Sequence, residues 1–362
     1  MTLGTRIRED AGQVAGRVDF GRRTVVLRRS RLGVRLDLRS ILVCAVLAVA
    51  TVAVALVALA TGSYQLGIGQ VVSALTGGES GIVHDIVLEW RLPRVVAAVV
   101  FGAALGVSGA MFQSLTRNPL ASPDVIGFST GSYTGALLVI LLAGGSYLQV
   151  AAGSLAGGVA TAVLVYVFAY RQGVQGFRLI IVGIAVSAML ASLNTWMMLE
   201  ADLDVAMAAA AWGAGSLNGV TSEQVMLGGV IIAVLLVFAG ASSRPMRQLE
   251  LGDDAAASQG VRVGAARLAL AVVGVALTAT VTAASGPIAF VALAAPQIAR
   301  RLARTAGITL APAAWVGALL LVVADLIAQR VAPSPLPVGV ITVMIGGGYL
   351  GWLLFTEARR RL

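Results

Sequence analysis

The 362-residue chain is 58% apolar and 12% charged, about half the charged share of an ordinary soluble domain. That balance excludes disorder and points away from a water-soluble enzyme. The charges cluster between apolar runs long enough for membrane helices, which need ~20 residues each, so a polytopic all-α membrane protein is expected. All 26 basic residues are Arg, and there is one Cys and one His. Without Lys there is no P-loop and no Schiff-base chemistry. Cys44 and His84 alone leave no intrachain disulfide and no multi-Cys or multi-His metal site. No catalytic residue, metal or cofactor is expected.

Residues 1–40 hold ten Arg and four acids, Glu9, Asp10, Asp19 and Asp37. Such a tail fits a nucleic-acid arm or a juxtamembrane anchor on anionic lipid. Apolar spans follow at once, so the lipid anchor is expected and nucleic acid is not. Ala58-Leu59-Ala60 resembles a cleavage site, but the charged region is too long for a signal peptide. Residues 41–60 therefore read as an uncleaved first span. Further apolar runs lie near 95–114, 125–143, 149–170, 179–199, 223–241, 267–284, 286–299, 312–330 and 338–355, making ten. The run at 286–299 is too short to cross upright and needs neighbours that bury its ends. Ten spans place both termini on one side, and taking that side as cytoplasmic puts 23 of 26 Arg inside, in accord with the positive-inside rule. Arg91, Arg94 and Arg330 are the exceptions. Gly102-x-x-x-Gly106 and Gly153-x-x-x-Gly157 read as small-residue faces for close helix packing.

Asp325 is the acid well inside a span, and it fits a proton relay or a structural contact to Gln329 or backbone. Asn118 can cap a turn that Pro119 opens. Ser122, Pro123 and Asp124 suit the first positions of the next helix. In the polar segment 242–267, Glu250, Asp253 and Asp254 lead an Ala-rich stretch that Gly260 can close. It reads as a helix parallel to the membrane, either a partner face or a solvated loop helix. Asn194, Trp196, Met197 and Met198, at the outer end of the fifth span, suit the walls of a path for a bulky ligand or plain packing and an interfacial belt. An intramembrane protease would need Ser–His or paired Asp at depth, and neither exists.

Several segments match a known family in order. Arg91-Leu92-Pro93-Arg94 precedes the glycine-rich span at 102–110, then come Asn118-Pro119-Leu120-Ala121, Gly286-Pro287-Ile288-Ala289-Phe290-Val291, Ala324-Asp325-Leu326 and Leu336-Pro337-Val338-Gly339-Val340. From residue 41 onward the chain resembles the FecCD/BtuC family of ABC importer permeases. Residues 118–128, 207–212 and 215–219 resemble its ferric-enterobactin branch. Pro296-Gln297 and Gly346-Gly347-Gly348 depart from the common Pro-His and Gly-Ala-Pro. The resemblance implies a BtuC-like (type II) bundle of ten helices over 41–362. It also implies a homo- or heterodimer with a second permease, a cytoplasmic ATPase dimer and an extracytoplasmic siderophore-binding protein. The cargo implied is a ferric siderophore, with haem or cobalamin as the alternative; a stand-alone secondary carrier is the reading from another class. Residues 249–262 resemble the coupling loop, which assigns Leu249, Leu251, Gly252, Ala255, Ala256 and Gly260 to the ATPase contact. Bulky residues at Gly252 or Ala256 should then abolish uptake without unfolding the permease. Arg91 and Arg94, with Arg330, match arginines that meet acids of the binding protein.

Overall fold

The structure, a computed structural model, describes residues 24–29, 32–124, 126–169, 176–332 and 334–361. The part of the expected tail before residue 24 lies outside them. Two strands, β1 (Thr24–Arg29) and β2 (Leu32–Asp37), pair antiparallel ahead of the first helix; from Leu38 onward the described chain is all-helical. The helices are α1 (Leu38–Ala60), α2 (Ile68–Leu75), α3 (Ile82–Asp85), α4 (Leu92–Thr116), α5 (Phe128–Ala143), α6 (Tyr147–Ala169), α7 (Gly176–Glu200), α8 (Leu203–Gly213), α9 (Ser222–Ala241), α10 (Ser243–Glu250), α11 (Asp253–Ser258), α12 (Val263–Ser285), α13 (Val291–Ala303), α14 (Leu310–Ala328) and α15 (Val338–Arg361). Every expected span is a helix, and among the described residues seven are long and apolar enough to cross a membrane. The other three, α5, α13 and α15, have shorter apolar stretches. The helix α8 was not foreseen, because its Ala-rich run is too short to read as a span.

α4 is the axis of the fold. It continues α3 through a π-helical turn, Ile86–Arg91, into one helix of 35 residues. The wide turn lies just before Pro93, which has no N–H to donate and whose ring crowds the preceding turn. The Leu92 N–H reaches back five residues to the Val87 carbonyl instead. From Ala97 to Leu115 nearly every side chain of α4 is buried, against α9, α12, α13 and α14. A Cβ at Gly106 would sit 2.2 Å from the Ala313 carbonyl oxygen, and one at Gly102 would sit 2.4 Å from that of Gly317. The second small-residue face does the same work between α5 and α6, where a Cβ at Gly157 would lie 2.3 Å from the Gly131 oxygen.

The short α13 begins later than expected, after a break at Gly286–Phe290. Gly286 and Phe290 have φ of 71° and 68° there. Unpaired backbone is costly inside a bundle, and three interruptions share theirs. The Ser216 N–H donates to the Ser285 carbonyl at 2.7 Å, and the Gly339 N–H donates to that of Gly215 at 3.0 Å. Residues Val291 to Pro296 are all buried, as the short span required.

Candidate functional site

At the arginine-rich end, α10 and α11 form a helix pair across the tip of α4. Met246, Leu249 and Ala256 face the protein's own core. Leu251 projects outward, 68% exposed, beside Gly252 at φ 117°. Ala255 is half-buried and Gly260 is exposed. Gly260 closes α11 as expected, its N–H donating to the Ala257 carbonyl while that of Val261 reaches Ala256, a Schellman ending. Ala256 is fully buried, so added volume there presses on this chain's own core. Leu249 likewise supports the pair rather than presenting a face.

Charge clamps the pair to the bundle. Asp253 pairs with both Arg117 and Arg267, the latter at 2.8 Å. Arg117 Nε also donates to the Leu249 carbonyl at 2.8 Å. Glu250 accepts from Ser114 Oγ at 2.8 Å and faces the Ile308 N–H at 3.4 Å, so it joins α4 to the loop before α14. Arg117 ends α4 at φ 51°, a place where glycine is the ordinary residue and another side chain costs ~1–2 kcal/mol. The cost is offset by its two contacts. Arg117, Glu250 and Asp253 were read only as loop charge or helix-end acids; their pairing is long-range.

The adjoining loop follows the reading in part. Asn118 Oδ1 accepts from the Leu120 N–H at 2.9 Å, the turn expected before Pro119. Ser122, Pro123 and Asp124 do not open the helix, however. α5 starts at Phe128 behind Gly127 at φ 93°, because the loop packs against Gly183 and Ser187 of α7. Asp124 is half-buried there. One carboxylate oxygen accepts from Ser129 Oγ at 2.5 Å and the other has no partner. Desolvation pushes its pKa up from 3.8 to about 6, against the lowering pull of the Ser129 bond. The folded pKa is the higher one, so the folded chain holds a proton that the unfolded chain releases. Stability therefore falls as pH rises through the window from 3.8 to about 6, by roughly 3 kcal/mol, and is level above it. Asp124→Asn is expected to flatten that slope when thermal unfolding in detergent is followed from pH 4 to 8. Identical slopes in both proteins would assign the effect elsewhere.

At the opposite end the outer arginines divide. Arg94 is not a free rim charge as expected. Its Nε and Nη2 grip Asp325 at 2.8 and 2.6 Å, and its Nη1 donates to Asn218 Oδ1 at 2.5 Å. The side chains are 16% and 5% exposed. Asp325 is therefore paired with Arg94, while Gln329 donates to Asn218 at 3.3 Å. Asn218 went unread, since its partners are more than a hundred residues away. Arg91 is half-buried and closes the end of α1, donating to the Leu59 and Tyr64 carbonyls at 2.7 and 2.5 Å. Arg330 is exposed.

The α7 residues separate as well. Met197 is buried against Leu137 and Ala209, and the Met198 sulfur accepts from Tyr133 Oη at 3.6 Å. Asn194 is buried, with its side-chain oxygen unpartnered. Trp196 is 60% exposed. Inside the bundle Gln297, at the departure from Pro-His, donates to Gln113, which donates in turn to the Leu293 carbonyl. Among the described residues no cluster of His, Cys, Asp or Glu is placed to hold a metal.

The structure is a helical bundle with, among the described residues, seven helices long and apolar enough to cross a membrane and a charge-clamped helix pair at one end, the architecture of a multi-pass membrane protein. The comparisons agree. The FecCD transport family model matches residues 43–356, and this chain belongs to that family. It is 48% identical to the ferric enterobactin transport system permease protein FepG of Escherichia coli (strain K12), over 89% of this chain and 98% of that one. It is 38% identical to the Fe(3+) dicitrate transport system permease protein FecD of the same organism, over 77% of this chain and 88% of that one. A metal-chelate type ABC transporter in an inward-facing conformation superposes with a TM-score of 0.76 at 25% identity, covering 87% of this chain and 99% of the other. The chain is a multi-pass integral protein of the cytoplasmic membrane.

Proposed function

We propose that this chain is the membrane-spanning permease of an ATP-driven ferric-siderophore importer, with a catecholate of the enterobactin kind as its cargo. Its identity to FepG supports the cargo class. The observation that carries the mechanism is the double pairing of Asp253. In this reading ten helices span the membrane and the arginine-rich end, with both termini, is cytoplasmic. A second permease completes a dimer. An ATPase dimer takes hold of α10 and α11, and a siderophore-binding protein docks at the other end. Closure of the ATPases pushes on the helix pair. Asp253 passes the push to α4 and α12 through Arg117 and Arg267, and Glu250 passes it toward α14. Because α4 touches most of the bundle, moving its tip re-aims the bundle between outward and inward openings. Leu251 is the apolar side chain offered to the ATPase groove. At the other end Arg330 gives the exposed charge for the binding protein, while Arg91 and Arg94 build the rim. Trp196 faces outward where a second permease would place it at the cavity mouth.

Deletion is expected to abolish growth on a ferric catecholate as sole iron source while uptake of haem and cobalamin persists. Leu251→Arg is expected to release the ATPase on co-purification, with permease yield and thermal stability unchanged. An ATPase that stays bound and keeps substrate-stimulated turnover in that variant would refute the coupling assignment.

A further inference from the structure

A cavity of about 490 Å³, counting the space open at its mouth, lies between α6 and α12 toward the arginine-rich end. Its floor includes the buried rings of Phe112 on α4 and Phe128 on α5. Each ring is pressed against a glycine. A Cβ at Gly274 would lie 2.8 Å from the Phe112 ring, and one at Gly158 would lie 2.6 Å from that of Phe128. The rings therefore tuck into α12 and α6, and space is left between these two helices. Ala162 and Tyr166 form one side of the rim, and Arg267, Ala271 and Val275 form the other, each set recurring every four residues along one helix face.

The mouth opens toward lipid. The rim residues are half-buried, whereas their neighbours Val163 and Val167 on α6, and Leu268 and Val272 on α12, are exposed. Both helices are long and apolar enough to span a membrane, so those exposed side chains meet acyl chains. The described lining is apolar apart from Arg267 and the Tyr166 hydroxyl, and an apolar cavity stays dry and accepts apolar guests. Charge stands at the same end. Arg267 is 12% exposed, and its Nη2 donates to Asp253 at 2.8 Å. Arg178 is half-buried next to Leu179 of the lining, and the exposed Arg262 precedes α12.

We infer that this cavity binds one acyl chain of an anionic phospholipid from the arginine-rich leaflet, with the phosphate held among Arg178, Arg262 and Arg267. Basic positions between spans attract anionic headgroups. Arginine suits the boundary because its stem lies on apolar surface while its head reaches polar ground. Binding itself needs no ATPase, partner permease or cargo. Its consequence rests on the coupling reading above: a seated chain packs Arg267 from behind and so steadies the arm that grips Asp253.

The test uses the full chain in detergent with phosphatidylglycerol that carries a diazirine in its acyl chain. Photolabel is expected on Ala162, Tyr166, Ala271 and Val275 several-fold above that on Val163, Val167, Leu268 and Val272. Ala271→Phe fills the cavity from one side and Ala162→Phe from the other, and each should erase that contrast. Native mass spectrometry should show one phosphatidylglycerol retained per permease. Retention should fall several-fold in either filled variant, in Arg178→Gln with Arg262→Gln, and when phosphatidylcholine of the same chains replaces it. Equal labelling of rim and exposed positions in the unaltered chain would overturn the inference, whether or not the variants fold. So would equal retention of the two lipids, or of phosphatidylglycerol by the unaltered chain and a folded filled variant. Labelling as expected, with ATPase turnover unchanged in Ala271→Phe, would establish the site and remove only its coupling role.

Discussion

Arg94→Ala is expected to lower the stability of the detergent-solubilised permease by roughly 3–5 kcal/mol, the usual cost of leaving one partner of a buried pair without the other. Asp325 sits 5% exposed and depends on Arg94 for its charged contacts. Asp325→Ala should cost less, because Arg94 at 16% exposure keeps Asn218 and can turn toward water. The double variant Arg94→Met with Asp325→Leu should lie well above the sum of the single losses, since it removes both charges together. Thermal unfolding of the four proteins decides this, and additive losses would refute the pair. The folded double variant also separates two roles for Arg94. If binding-protein affinity falls in it, Arg94 serves docking as well; if affinity is unchanged, the arginine holds α4 to α14 and the exposed Arg330 carries the steering charge.

Gly109→Ala is expected to prevent accumulation of folded permease although it adds a single methyl group. A Cβ there would lie 1.7 Å from the Ala292 carbonyl oxygen, and backbone on both sides leaves nothing to rotate away. α4 and α13 would have to separate, at or beyond the upper end of the ~1–3 kcal/mol cost of overpacking. Gly229→Ala in α9 is the control. Nothing lies within 4 Å of its Cβ position, and Ala is the better helix former by about 1 kcal/mol. Equal membrane yields of the two variants would show that α4 and α13 do not pack as closely as the structure has them.

Legibility followed the range of each interaction. Asn118 bonds two residues away and Gly260 closes its own helix, so both were readable from neighbours. Gly102 and Gly106 announced close packing, but not that Gly317 and Ala313 would receive them. Arg94 and Asp325 were each noticed for being out of place, one an outer arginine and one a buried acid. Their separation of 231 positions hid that each explains the other. The burial of Ala256 was not legible for a related reason: a small residue on a short helix looks alike whether it faces solvent or its own core. The strands β1 and β2 were missed because their apolar positions are few and broken by arginines.

From its residues alone this chain is a polytopic membrane protein whose charges are gathered between its apolar runs. Those properties follow from composition and from apolar length, which the bilayer reads segment by segment. Only the tertiary structure decided which charges are spent inside the molecule and which remain for partners. Arg94 is bound to Asp325, Arg91 to the end of α1, and Arg117 and Arg267 to Asp253, while Arg330 and Leu251 stay outward. The reason is that a buried charge must find its counterpart wherever packing brings one, and packing sets that choice across distances that local pattern does not encode.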